Sequence, residues 1–132
     1  MVRGSCLCGD VVWEAAGDLH WMSHCHCSMC RKAHGAAFAS YAEAAVADLH
    51  VTHGSELITR RRSSDAAQRS FCSRCGSNLF FEPDETPDLL WVAAGGFDSE
   101  PELRPDAHIF VGSKAPWFDI TDDLPQHEGD TD

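Results

Sequence analysis

The cysteine spacing constrains this chain more than any other feature. Seven cysteines fall in three tight groups: "CLCGD" (Cys6, Cys8), "HCHCSMCRKAHG" (Cys25, Cys27, Cys30) and "FCSRCGSN" (Cys72, Cys75). An odd count with C-x-C and C-x-x-C spacing fits disulfide pairing poorly and metal binding well. Thiolates presented in such pairs are the donor set that zinc selects. A chain built this way must bring distant turns together to complete a tetrahedral ion, so the metal sites restrict the topology.

Both outer pairs end in Cys-Gly, at Gly9 and Gly76, where a knuckle can leave its thiolate-wrapping turn through a positive-φ residue. The central group ends in Cys30-Arg31 instead. The simplest division is four plus three. Cys6, Cys8, Cys72 and Cys75 close one tetrahedral zinc, and Cys25, Cys27 and Cys30 bind a second with one position open to water or an exogenous ligand. Two other partitions satisfy the same spacings. Cys27 and Cys30 with Cys72 and Cys75 form a zinc-ribbon pattern, or His24, His26 or His34 closes the central site. In extended chain Cys25 and Cys27 share a face while His26 points away. A helix beginning at Ser28 sets Cys30 on its first turn, where free N–H groups favour thiolate over thiol.

At 132 residues the chain is expected to form one domain, 1–132, with a loose tail from about 127. Short apolar or alternating runs at 11–13, 37–41, 49–53, 56–60, 78–81, 89–93 and 108–111, separated by turn residues, predict a mainly β fold. One short helical turn is predicted over Ser28–His34, stopped by Gly35. A net charge of −11 disfavours nucleic acid as a partner, and Arg60-Arg61-Arg62 reads as a charged strand edge. No segment approaches transmembrane length and the N-terminus lacks a signal-peptide pattern, so no membrane partner is expected and the cytoplasm is the expected compartment.

Taken in order, "GSCLCGDVVW", "CHCSMCRKAHG", "RSFCSRCGSNLFF" and "HIFVGSKAPWFDITDDLPQHEG" resemble the glutathione-dependent formaldehyde-activating enzyme family, whose domain is shared with centromere protein V. The likeness runs from about Gly4 to Gly129. It implies a β-tent, a small zinc-bound fold of coiled antiparallel sheets with one short helical turn. It implies a structural zinc on Cys6, Cys8, Cys72 and Cys75 and a second zinc on Cys25, Cys27 and Cys30, two Zn(II) per chain. The implied activity is carbon–sulfur lyase or synthase chemistry. Glutathione thiolate, on the open three-cysteine zinc, adds to formaldehyde or a related electrophile to give S-hydroxymethylglutathione.

Glutathione carries carboxylates that call for cations. Arg31 is the first choice because Cys30 fixes its place, with Lys32, Arg69 and Arg74 as further candidates. His26 and His34 are candidate proton shuttles. Two other function classes are compatible with the same clusters: a non-catalytic zinc module for protein interaction, and a thiol or metal sensor. Phe71, Phe80 and Phe81 are expected to pack around the second knuckle, and Trp117 and Phe118 to anchor the C-terminal segment.

Overall fold

Side chains alternate along a strand, so a sheet sorts its residues onto two faces, and here that sorting separates the two cysteine sets. The computed structural model describes residues 1–130; Thr131 and Asp132 lie outside the described residues. Three strands, β1 (Val2–Ser5), β2 (Val12–Ala15) and β5 (Leu49–His53), form a small sheet in the order β1-β2-β5. The larger sheet comprises β3 (Met22–Cys25), β4 (Ala39–Ala45), β6 (Ile58–Arg62), β7 (Ala67–Cys72), β8 (Asn78–Pro83), β9 (Leu89–Ala93) and β10 (Ala107–Ile109). Its order is β10-β3-β4-β9-β8-β7-β6. The helix predicted over Ser28–His34 is α1, with those bounds. The fold is mainly β, as the sequence predicts.

One face of the large sheet meets the small sheet. Ala44, Leu90, Val92, Phe80 and Cys72 pack there against Val11, Trp13, Ala15 and Cys6. Trp13 is the centre of this core, with Phe80 and Phe97 set edge-on at ring-centroid distances of 6.3 and 5.4 Å. Burying such a side chain contributes about 2–3 kcal/mol. Gly4 makes room for it: a Cβ at that position would lie 2.0 Å from the indole Cζ2. The opposite face carries Cys25, Ala39, Tyr41 and Ala93, flanked by Phe81, Trp91, Ile109 and Phe110.

The structure departs from the sequence reading in three places. First, β10 pairs with β3 in parallel, His108 opposite His24, whereas antiparallel sheets are expected throughout. A parallel partner requires a long crossover, and most of the large sheet lies between the two strands. Second, β1, β3 and β7 are strands that the apolar pattern does not mark. In β7, buried Arg69 and Ser70 occupy positions where alternation would call for apolar side chains, because tertiary partners satisfy them.

Third, the loose tail from about 127 is corrected for residues 127–129. The His127 N–H donates to the His108 carbonyl at 2.9 Å, and the Phe110 and Val111 N–H groups donate to the carbonyls of Gly129 (2.8 Å) and His127 (2.9 Å). These bonds cover the outer edge of β10 and satisfy groups that an edge strand leaves unpaired. Among the described residues no helix is long and apolar enough to cross a membrane.

Candidate metal centres and active-site cavity

Cys6 and Cys8 lie in the turn after β1, and Cys72 and Cys75 at the turn from β7 to β8. These turns are far apart in sequence, yet their four Sγ atoms all lie within 4.8 Å of one another. Cys6 Sγ is 3.5 Å from Cys8 Sγ, and Cys8 Sγ is 3.9 Å from Cys72 Sγ. Four sulfurs at about 2.3 Å from a tetrahedral zinc stand about 3.8 Å apart. The donor set fits that ion. Gly9 and Gly76 have φ of 81° and 79°, and their N–H groups close the knuckle turns onto the carbonyls of Cys6 (3.0 Å) and Cys72 (2.8 Å), the positive-φ exit expected of both Cys-Gly pairs. The Val11 N–H donates to Cys6 Sγ at 3.3 Å. Hydrogen bonds from Ser77 draw the Cys75 thiol down to about 5, which favours the thiolate a metal needs.

The central set is assembled differently. Cys25 ends β3 on the sheet face away from the Trp13 core, and Cys27 is the N-cap of α1. In place of a hydroxyl or carboxylate, the Cys27 sulfur accepts the Cys30 N–H at 3.3 Å. The three Sγ atoms lie within 4.8 Å of one another, and no fourth cysteine, histidine or carboxylate among the described residues joins them. Hydrogen bonding from Cys25 and Cys30, with backbone support from Cys30 and Met29, pulls the Cys27 thiol down to about 2. Hydrogen bonding to Cys27 and Cys30 and burial hold Cys25 far above the ordinary thiol range. Three crowded thiols thus share protons as one unit, and a divalent cation is the partner that lets all three ionise. The zinc-ribbon partition is not formed, since Cys72 and Cys75 group with Cys6 and Cys8.

The three sulfurs open onto a cavity of about 710 Å³ whose other walls include Tyr41, Arg69, Phe81 and Trp91. The register explains this company. Arg69, Phe81, Trp91 and Glu43 stand opposite one another across β7, β8, β9 and β4, one residue per strand on one face. Arg69 Nη2 reaches Cys30 Sγ at 3.6 Å, Nη1 donates to the Tyr41 hydroxyl at 2.9 Å, and the guanidinium lies 4.8 Å from the centre of the Phe81 ring. His34 Nε2 bonds the same hydroxyl at 2.8 Å, and burial raises the Tyr41 phenol above its ordinary range.

Residues 1–113 match the family described as glutathione-dependent formaldehyde-activating enzyme. The chain belongs to that family. It is 29% identical over 127 residues to a Halomonas elongata protein whose name provisionally assigns it as a glutathione-dependent formaldehyde-activating enzyme, with 91% of this chain and 81% of that one covered. It is 26% identical to a Schizosaccharomyces pombe protein named as a lyase, over 89% of this chain and 84% of that one. A crystal structure of a Rhodobacter sphaeroides protein has a TM-score of 0.62 and 26% identity, covering 76% of this chain and 91% of that one. The likeness inferred from the cysteine motifs is therefore shown, and the chain is a member of an enzyme family with a lyase-named relative.

Within this family member the remaining candidates are placed unevenly. Arg31, preferred from sequence, is not among the residues lining the cavity, and its Nε is enclosed without a hydrogen-bond partner. Lys32 is exposed on α1, and Arg74 pairs with Asp10 at 2.8 Å. Arg69 is the cation at the sulfurs. Its closeness to Tyr41, 28 positions away, follows from strand order and has no local signal in the sequence.

The histidines also sort by face. His24 bonds Ser40 at 2.8 Å, and fully buried His26 bonds His108 Nδ1 through Nε2 at 2.7 Å. His108 in turn bonds Asp122 at 3.0 Å. Burial, with His108 beside it, pushes the His26 imidazole down to about 4. His26 is fully enclosed and is not among the residues lining the cavity. Phe118 packs against Phe38 and His26 and anchors the C-terminal segment as expected, while Trp117 is 70% exposed.

Proposed function

We propose that this protein forms and breaks carbon–sulfur bonds, joining a thiol to formaldehyde or a similarly small aldehyde at the Cys25–Cys27–Cys30 cluster. The observation that carries the reading is the contrast between the two sulfur sets. Four sulfurs complete one tetrahedron between the sheets, whereas three stand at a cavity with no fourth protein donor among the described residues. Structural zinc sites are closed and catalytic ones keep a position for an exogenous ligand. The reading assigns Cys6, Cys8, Cys72 and Cys75 to a structural zinc and the central three to a second one. A zinc ion there would supply the Lewis acidity that keeps an incoming thiol ionised at neutral pH.

The chain's own groups do the rest. The Cys30 N–H and the Arg69 guanidinium each neutralise part of the thiolate charge, so the three sulfurs can stand together. The Tyr41 hydroxyl, held by His34, keeps Arg69 in place. Phe81, Trp91 and Phe110 supply apolar walls beside the three sulfurs. In the addition, the new C–S bond forms as the carbonyl π pair moves onto oxygen, and the proton lost by the thiol ends on that oxygen. The product is a hydroxymethyl thioether, the reverse is a lyase reaction, and neither direction needs an oxidant or reductant.

X-ray absorption at the zinc edge tests this. The purified chain should hold two zinc ions with a mean of about 3.5 sulfur neighbours each, rising to about 4 on addition of 2-mercaptoethanol. A spectrum that thiol leaves unchanged would refute the proposal.

A further inference from the structure

Resting on that reading, we infer a direction of binding: the cavity holds a peptide-like thiol with its carboxylate end at Arg69, Ser63 and Thr86 and its ammonium end at Glu43. Unsatisfied buried groups carry the inference. Leaving a polar atom buried without a partner is costly. Among the described residues three such side-chain atoms belong to this lining: Arg69 Nε, Ser63 Oγ and Thr86 Oγ1. Each can donate a hydrogen bond. The ladder brings them to one corner. The Ser63 N–H donates to the Ala67 carbonyl at 3.1 Å, and the Asp84 N–H donates to the Ala66 carbonyl at 2.8 Å. The turns after β6 and β8 therefore meet beside the Ala67–Pro83 pair, about 7 Å along the same face from Arg69.

The opposite corner is acidic. Glu43 stands three strands away from Arg69, about 14 Å across the sheet, with Trp91 and Phe81 as the floor between them. Its Oε1 is 3.8 Å from His20 Nδ1, beyond hydrogen-bond length, so the carboxylate keeps acceptor capacity for an ammonium. The sulfurs form a third corner, beside Tyr41, which lies two residues from Glu43 on the same face of β4. Three corners of different chemistry match a ligand with three arms: a sulfur in the middle, an anion at one end and a cation at the other. An extended peptide of three residues spans about 10 Å, close to the width of that floor. The reverse direction would set a carboxylate against Glu43 and an ammonium against three donors. Glu85 and Asp130 also border the cavity; Glu85 is exposed, so water and salt screen it.

Isothermal titration calorimetry on the zinc-loaded chain tests this with glutathione, its ethyl ester at the glycine carboxyl, and N-acetylglutathione. The ester lacks the end carboxylate and the acetyl compound lacks the ammonium. Ser63→Ala/Thr86→Val should weaken binding of glutathione and N-acetylglutathione by about tenfold, and of the ester far less. Glu43→Gln should weaken glutathione and the ester by about fivefold, and N-acetylglutathione far less. A merely structural role would not produce this crossed pattern, since a damaged fold penalises all three thiols alike. Equal losses for the three thiols, no loss with either variant, or the two patterns exchanged would overturn the inference. So would binding of 2-mercaptoethanol without binding of glutathione, which leaves thiol chemistry intact. Failure of the unaltered chain to bind any thiol, 2-mercaptoethanol included, would overturn the parent reading and this inference with it.

Discussion

Removing each sulfur set separately should cost very different amounts of stability. The four-sulfur set ties together turns whose cysteines are far apart, Cys8 and Cys72 being separated by 64 positions. Treated as a crosslink, a closed loop of that length contributes about 4 kcal/mol through the unfolded chain. The central set joins residues from Cys25 to Cys30, five positions apart, and the same relation yields about 2 kcal/mol. For a domain of this size those values correspond to losses in Tm of about 15 °C and about 7 °C. The variants are Cys72→Ala/Cys75→Ala and Cys25→Ala/Cys27→Ala; alanine avoids burying a hydroxyl at fully enclosed Cys72. Calorimetric melting with metal analysis on the same samples reads both quantities. The second variant should keep one zinc per folded chain. Equal losses in Tm, or a larger loss at the central site, would refute the assignment of the two sets to structural and open roles.

Other expected outcomes follow from particular contacts. Tyr41→Phe strips the partner from both Arg69 Nη1 and His34 Nε2, costing about 1–3 kcal/mol, visible as a lower urea midpoint with unchanged slope. Gly4→Ala drives a methyl into the Trp13 ring and should cost about 1–3 kcal/mol, whereas Gly95→Ala, with open space around it, should cost far less in the same titration. The hydrogen bond from His108 holds the Asp122 carboxyl below the ordinary carboxylate range. Its contribution is therefore full above about pH 4 and is lost as pH falls through the lower folded value. Asp122→Asn should flatten the acid limb of a stability–pH profile, and an unaltered limb would show that the pair contributes nothing.

Much of the metal chemistry was legible because coordination is a matter of local spacing. C-x-C places two sulfurs on one face of extended chain, and a cysteine three residues on is returned to them by one helical turn, so Cys25, Cys27 and Cys30 announce their cluster without reference to the rest of the fold. The Cys-Gly endings at Gly9 and Gly76 likewise identified two knuckles of one kind, and Gly35 marked the end of α1. The strands at 49–53 and 89–93 were legible from apolar content bounded by turns. By contrast, β7 was hidden because its Arg69 and Ser70 are buried yet polar, and the parallel β3–β10 pair left no trace in either strand's pattern.

The sequence by itself determined which atoms can ligate metal, the mainly β architecture and the family, because each is written in residue type and short-range spacing. Only the tertiary structure decided which cation stands at the open sulfurs, which histidines are sealed behind them, and how acidic the cavity is. Those properties depend on strand order: Glu43, Trp91, Phe81 and Arg69 become neighbours only when β4, β9, β8 and β7 lie side by side. Strand pairing is non-local, and its cost in chain entropy is offset by the core as a whole. No short stretch of sequence therefore carries it.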